Sequence, residues 1–406
     1  MNDTHCLFTG YQGRRVHLGV TGSIAAFKAL TLMRRLLAAG VSVGVTLSEA
    51  ATQFVTPLSF EALGADPVLT GMFASEAASF AHLGPAQAAD VFAVVPATAN
   101  TIARMACGMA DTLLSCQLLA FEGPVVVAPA MNPRLWNAAA TKANWATLLA
   151  RGVVGVTPDC GEMACGETGQ GRLAEEHAIA MAILRALTPQ DMAGKKTLVN
   201  LGPTREYFDA ARFWSNPSTG LMGACVAMAA WLRGADVTVV HGPVSWWFPE
   251  SVRTVAVTSA AHMYEACLEV WPHCDYGVMT AAVADFAPAP LPGGGKFKKE
   301  TAEGGPPLVF SPTRDILSAM GQSKKPGQTL VGFCAEAEKL RENALGKLAR
   351  KRCDVIIANP IDGPDAGFAV SRNTALALAA DGREEAWENL PKTEMAWKIW
   401  DFTIPS

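Results

Sequence analysis

The stretch RVHLGVTGSIAAFKALTLMRRLLAAG, residues 15–40, changes its periodicity once, at a glycine and a serine. Arg15 to Thr21 is a short apolar and β-branched run of the kind that a buried strand uses. From Ile24 onward the apolar residues return at helical spacing, and Gly40 stops the helix. A strand, a tight turn and an amphipathic helix form the opening unit of a parallel sheet covered by helices. Gly22 and Ser23 stand at the mouth of that helix, where backbone N–H groups and a hydroxyl can receive an anion such as phosphate. Many α/β proteins use the same arrangement only as a turn. The segment is not GxGxxG, and no Walker lysine–serine pair follows it.

The alternation continues outward from this unit. VSVGVTL, VFAVV and PVVVAPA supply further buried strands before residue 131. After Thr157 the pattern lapses into DCGEMACGETGQGRLAEE, too polar and too rich in glycine for a core element, which predicts a mobile flap. A helix over His177 to Leu187 leads into TPQDMAGKK, whose proline, glycine and charges mark a linker. KTLVNLGPTRE then starts a new strand. GADVTVV, DYGVM, TLVGF and DVIIA follow as strands, with helical patterns at Leu221 to Arg233, Ala260 to Val270 and Ala337 to Arg350. The fold class expected is α/β, with two doubly wound, Rossmann-like parallel-sheet domains, the first flavodoxin-like. The expected division is 1–188, a linker at 189–195, and 196–406. Ligands of such sheets sit at the carboxyl ends of the strands.

Bulk properties limit the function classes. A chain of 406 residues exceeds one ordinary core and suggests two. Half of its residues are apolar and 17% are charged, but no uninterrupted apolar run of about 18 residues could span a bilayer. The first twenty residues lack the pattern of a secretion signal, so the cytoplasm is the expected compartment. Ten cysteines are scattered without a CxxC pair, so neither a disulfide framework nor a protein metal site is expected. A formal charge of −4 spread over both halves offers no basic face for nucleic acid.

Three segments of the first half are long and chemically unusual: PATANTIARMACGMADTLLS, PAMNPRLW and ACGETGQGR. With the glycine–serine turn they resemble, in order, the flavin-dependent cysteine decarboxylases, over roughly residues 14–188. That resemblance implies an FMN site built between subunits of a trimer, with Gly22, Ser23, Ser48, Thr98 and Ser115 toward FMN. It implies that His82 acts as acid–base, that Asn132 holds the substrate carboxylate, and that Cys165 on the flap protonates the reduced intermediate. An amide suits the second task because it donates hydrogen bonds without bringing charge.

In the second half LGPTREYFDAARFWSNPSTGLMG runs from a strand end through a long polar loop to a helix, far beyond the usual connection of about two to six residues. Downstream, three glycines precede Lys296, Lys298 and Lys299 in GGGKFKKE. GPTRE, RFxSNxSxGxMG, AAVADF, KxKK, GFxAE and RNTALAL resemble the phosphopantothenate–cysteine ligase domain that follows the flavin domain in many bacteria, over about residues 195–402. The resemblance implies a dimerising domain that makes an acyl-cytidylate from 4'-phosphopantothenate and CTP, with Mg2+, and then lets cysteine attack it. The product, 4'-phospho-N-pantothenoylcysteine, is the substrate of the first half. Asn216 and Arg212 fall at the substrate, and Lys296 at the departing pyrophosphate. Ala281, Asp285, Lys296, Asp315, Ile316, Phe333, Lys347 and Lys351 fall at CTP. The i, i+4 spacing of Lys347 and Lys351 lets both reach one polyphosphate, or makes a solvated helix face.

Three positions depart from the pattern: Leu221 stands where a lysine is usual, Phe286 where a tyrosine is, and Leu135 where a methionine is. Two alternatives stay open at this point. Only the flavin half is active and the other merely binds nucleotide, or the chain is a regulatory flavoprotein that binds a protein partner. The presence of both Asn132 and Cys165 argues for catalysis.

Overall fold

The computed structural model describes residues 3–72, 82–163, 166–291, 295–298, 308–360 and 371–404. The chain divides into two compact units. One is Thr9–Pro189; the other takes Gln190–Ser406 together with the residues before Thr9.

The strands of the first unit are β1 (Arg15–Val20), β2 (Ser42–Leu47), β3 (Val68–Leu69), β4 (Val91–Ala97), β5 (Val125–Pro129) and β6 (Val154–Gly155), with β7 (Asp159–Glu162) and β8 (Thr168–Arg172) outside the main sheet. The sheet order is β3-β2-β1-β4-β5-β6, and every pairing is parallel. Without the two-residue edge strand β3, the remaining order is that of a flavodoxin-like sheet, 2-1-3-4-5. All of β4 and most of β1 and β2 are buried, because helices cover both faces of a parallel sheet. The helix read from Ile24 begins as a 3-10 turn, Ile24–Phe27, and becomes α-helical over Lys28–Ala38. The polar stretch read as a flap is a two-stranded antiparallel hairpin, β7 with β8.

In the second unit the strands are β9 (Lys196–Leu201), β10 (Glu206–Tyr207), β11 (Phe213–Trp214), β12 (Asp236–His241), β13 (Arg253–Ala256), β14 (Tyr276–Met279), β15 (Phe286–Pro288), β16 (Phe310–Pro312), β17 (Thr329–Glu336), β18 (Val355–Pro360), β19 (Arg372–Ala379) and β20 (Glu384–Pro391). The main sheet runs β13-β12-β9-β14-β17-β18-β19-β20. It is parallel from β13 to β18 and antiparallel at β19 and β20. The parallel part has the doubly wound order 3-2-1-4-5-6, whose switch point lies between β9 and β14. Helix Leu221–Leu232 is apolar all round, and it packs both on β9 and against helix Lys392–Thr403, as an all-apolar helix must. Helices Ala260–Val270, Ile316–Gln322 and Leu340–Lys351 pack in series and form the other layer.

Several expectations are adjusted. The helix read from Ala337 starts at Leu340, because Lys339 takes a left-handed conformation and Asn343 Nδ2 donates to Glu336 and to the Glu338 carbonyl. The polar loop after β9 contains the hairpin β10–β11, closed by Asp209. Residues 190–195, read as a linker, are held by the second unit: Gln190 Nε2 donates to the Leu232 carbonyl at 3.1 Å, and Asp191 pairs with Arg233. Residues 3–8 also belong there and not to the first domain. His5 is fully buried, its Nε2 is 2.6 Å from the Trp247 carbonyl, and Thr393 Oγ1 donates to the Leu7 carbonyl.

Candidate functional site

In the first unit the candidate residues collect at the carboxyl ends of the strands. Gly22 and Ser23 follow β1, Ser48 follows β2, Thr98 follows β4 and Asn132 follows β5. The ends of β1 and β4, which flank the switch point, are tied by Thr21. Its hydroxyl donates to the Pro96 carbonyl at 2.6 Å and accepts from the Thr98 N–H at 3.0 Å. Gly22 is glycine for a packing reason, since a Cβ there would come within 2.4 Å of Ala50 Cβ. Ser23 caps the 3-10 turn through the Ala25 N–H, and Thr98 caps helix Ala99–Cys107 through the Thr101 N–H. Ser48 Oγ accepts from the Ala51 N–H. These are hydroxyls and backbone N–H groups at helix starts beside a switch point, the donor set that suits a phosphate. Ser115 is committed differently: it forms a reciprocal capping box with Thr112 at the start of helix Leu113–Ala120.

Asn132 is the N-cap of helix Pro133–Asn137, with Oδ1 accepting from the Arg134 N–H at 2.8 Å. This fixes the amide, and its NH2 end donates to Glu167 Oε2 at 2.8 Å. Glu167 also pairs with Arg134 at 2.7 Å. The hairpin lies directly on this loop. Met131 N–H donates to the Gly171 carbonyl at 2.9 Å, and Trp136 Nε1 donates to Gln170 at 3.0 Å. Gly171 has φ of +146°, and a Cβ would stand 2.3 Å from the Met131 carbonyl oxygen. His82 is half-buried, two residues before helix Gly84–Ala88, which packs against helix Leu113–Ala120. Cys165 lies outside the described residues, as does Lys299. Thr21 and Glu167 were missed by sequence reasoning, since a threonine ending a strand and one glutamate in a polar hairpin carry no spacing signal.

In the second unit a cavity of about 420 Å³ opens at the switch point. Its walls include Asn216, Ala281, Asp285, Asp315, Ile316, Phe333, Lys347 and Lys351, which come from five separate stretches of chain. Asn216 Nδ2 donates to the carbonyls of Ala282 and Val283 at 3.2 and 3.1 Å. This ties the loop before helix Leu221–Leu232 to the segment after β14. Asp315 caps helix Ile316–Gln322 through the Ser318 N–H at 2.8 Å and pairs with Lys351. Burial pushes the Asp315 carboxyl up, but Lys351 and the Ser318 N–H outweigh it and hold it below the usual carboxylate range. Lys347 Nζ donates to the Phe333 carbonyl at 2.9 Å. The two lysines therefore face the cavity, not open solvent.

Arg212 and Lys296 do not line this cavity. They are brought near each other by Asp209, which accepts from the N–H groups of Ala211 and Arg212 at 2.7 Å and of Phe297 at 3.0 Å. Burial pushes Asp209 up, and these N–H groups with the Arg212 charge hold it low. Residues 295–298 are thus docked at the turn of the β10–β11 hairpin. The same hairpin and β15–β16 carry exposed Tyr207, Phe213, Trp214, Phe286 and Phe310, with the Trp214 and Phe310 rings 5.3 Å apart. Leu221 lines the cavity, as does Lys392. Nothing in PKTEMAWKIW sets Lys392 apart from an ordinary helix lysine.

Two doubly wound α/β units, one with phosphate-type donors at its switch point and one with a charged cavity at its own, define a two-site enzyme of the nucleotide-crevice class. The comparisons with known proteins agree. The model for the flavoprotein family matches residues 9–188, and that for the DNA/pantothenate metabolism flavoprotein C-terminal domain matches residues 192–405. The coenzyme A biosynthesis bifunctional protein CoaBC of Bacillus subtilis (strain 168) is 39% identical over 391 residues, 95% of each chain. That of Mycobacterium tuberculosis (strain ATCC 25618 / H37Rv) is 40% identical over 407 residues, 96% of each chain. Among solved structures, the C-terminal domain of coenzyme A biosynthesis bifunctional protein CoaBC is 33% identical, with a TM-score of 0.43, over 52% of this chain and 94% of that one. The chain belongs to the family of bifunctional coenzyme A biosynthesis proteins, enzymes with decarboxylase and ligase activities. Among the described residues, no helix is long and apolar enough to cross a membrane.

Proposed function

We propose that the second unit joins cysteine to 4'-phosphopantothenate through an acyl-cytidylate made with CTP, and that the first decarboxylates 4'-phospho-N-pantothenoylcysteine to 4'-phosphopantetheine with FMN, in the cytoplasm. The observation that carries this reading is the cavity between β9 and β14, which eight residues expected at the nucleotide and substrate line together. Lys347 and Lys351 offset the triphosphate charge, and Asp315 and the Phe333 carbonyl hold their ammonium groups toward the cavity. Asn216 keeps the loop over the reacting carboxyl closed on the β14 segment. No group of three or more His, Cys, Asp or Glu side chains gathers among the described residues. Mg2+ in this reading travels on the phosphates and water.

The exposed aromatics of the two hairpins support a dimer of this unit. In such a dimer the strip with Lys296 and Arg212 serves a cavity other than the one it fails to line in its own chain. Exposed Ile24, Phe27, Leu58 and Leu119 likewise support an oligomer of the first unit, read as a trimer.

In the first unit Ser23, Ser48 and Thr98, with the backbone N–H groups beside Gly22, would hold the FMN phosphate. Bound FMN supplies the reversible oxidation that gives the electrons left by the carboxylate somewhere to go. Asn132 offers the second hydrogen of its fixed NH2 to the substrate carboxylate, the first being held by Glu167. His82 moves the proton, and Cys165 returns one at the end. The purified protein should be yellow, and with phosphopantothenate, CTP, cysteine and magnesium it should release CMP and pyrophosphate. A colourless preparation after gentle purification would count against the flavin assignment. Release of CMP no faster than background would remove the ligase assignment.

A further inference from the structure

Lys392 opens helix Lys392–Thr403 and is only 4% exposed. Burying an ammonium without a counter-charge is costly, yet the Lys392 side chain has no hydrogen-bond or ion-pair partner among the described residues, and burial holds its pKa down. Helix Lys392–Thr403 packs against helix Leu221–Leu232. Lys392, Leu221, Met222 and Gly223 all line the 420 Å³ cavity. The start of helix Leu221–Leu232, twelve residues long, turns the positive end of its dipole toward the same space; there the Leu221 N–H donates a long 3.4 Å bond to Thr219 Oγ1.

Two layers therefore bring cations to one cavity. Lys347 and Lys351 come from the layer of helix Leu340–Lys351, and both already have oxygen partners. Lys392 comes from the layer formed by helices Leu221–Leu232 and Lys392–Thr403 and has none among the described residues. A triphosphate needs the pair, and the lone ammonium at a helix start suits a second, smaller anion.

We infer that Lys392, with the start of helix Leu221–Leu232, binds the phosphomonoester of the pantothenate substrate, and so supplies the positive charge that Leu221 cannot. The inference rests on the ligase reading above. Its test is the steady-state kinetics of Lys392→Met in the full-length protein, with phosphopantothenate and CTP varied separately. The KM for phosphopantothenate should rise about 10- to 100-fold, as loss of a charge-assisted contact implies, with the KM for CTP moving by less than about threefold. Lys392→Arg should recover most of the loss, and adding Leu221→Lys to Lys392→Met should recover part of it. The thermal midpoint of Lys392→Met should be no lower than that of the parent, because a buried unpaired charge has been removed.

A KM for phosphopantothenate unchanged in Lys392→Met, or a rise confined to CTP, would overturn the assignment while leaving the ligase reading intact. Parent protein that releases no CMP would instead defeat the ligase reading.

Discussion

Glu167 holds Asn132 and Arg134 at once, so the substrate-facing amide of the first unit is oriented by a carboxylate from the hairpin. Glu167→Ala should lower decarboxylase kcat/KM by about tenfold or more while CMP release is unchanged, the size expected for a lost charged hydrogen bond. Equal losses in both activities would mean a general folding defect. A second prediction concerns His17, buried in β1 with Nε2 2.7 Å from Thr46 Oγ1. Burial, with the Arg15 charge, lowers its pKa to about 3. The folded state thus binds its proton far less readily than the unfolded chain. This contribution is complete above the ordinary histidine value and is lost as pH falls toward 3, at about 1.4 kcal/mol per pH unit. Denaturant titrations of the first unit across that window should show the slope, and His17→Gln should flatten it. At this scale the motif resemblance pointed to Asn132 and Asp315, which the fold sets at the carboxyl end of β5 and in the wall of the second unit's cavity. The sequence was silent on Glu167 and Lys392, because their meaning comes only from what faces them.

Hairpin β7–β8 was read as a flap, and its composition does keep it out of the core. What sequence could not supply was its docking on the Met131–Asn132 turn, which pairs positions forty residues apart. Gly171→Ala would drive a Cβ into the Met131 carbonyl. Decarboxylase activity should fall at least tenfold or so, with CMP release retained, because the strain is local to this element. Full decarboxylase activity in that variant would show that the hairpin need not sit on the turn during turnover. The central strands of both sheets were legible, since burial on two faces leaves continuous apolar runs, but the edge strands β3, β6, β13 and β20 were not. The short hairpins β10–β11 and β15–β16 were not, because two- and three-residue strands rich in exposed aromatics read as loop.

Across the whole chain, the alternation of strand and helix disclosed two doubly wound units, but not the ownership of the first residues. Phe8 is 3% exposed, and it meets Trp397 at 6.1 Å, within the second unit. A fragment starting at residue 190 should therefore melt about 5 °C or more below the same unit carrying residues 3–8, from the loss of one buried aromatic and its neighbours; identical midpoints would contradict that packing. The central claim is that one chain carries both steps. It is tested most directly by supplying 4'-phosphopantothenate, CTP, magnesium and cysteine labelled in its carboxyl carbon, and following CMP and labelled carbon dioxide together. The account predicts both from the single purified protein, with one carbon dioxide for each CMP at completion; CMP without carbon dioxide, or neither, would contradict it.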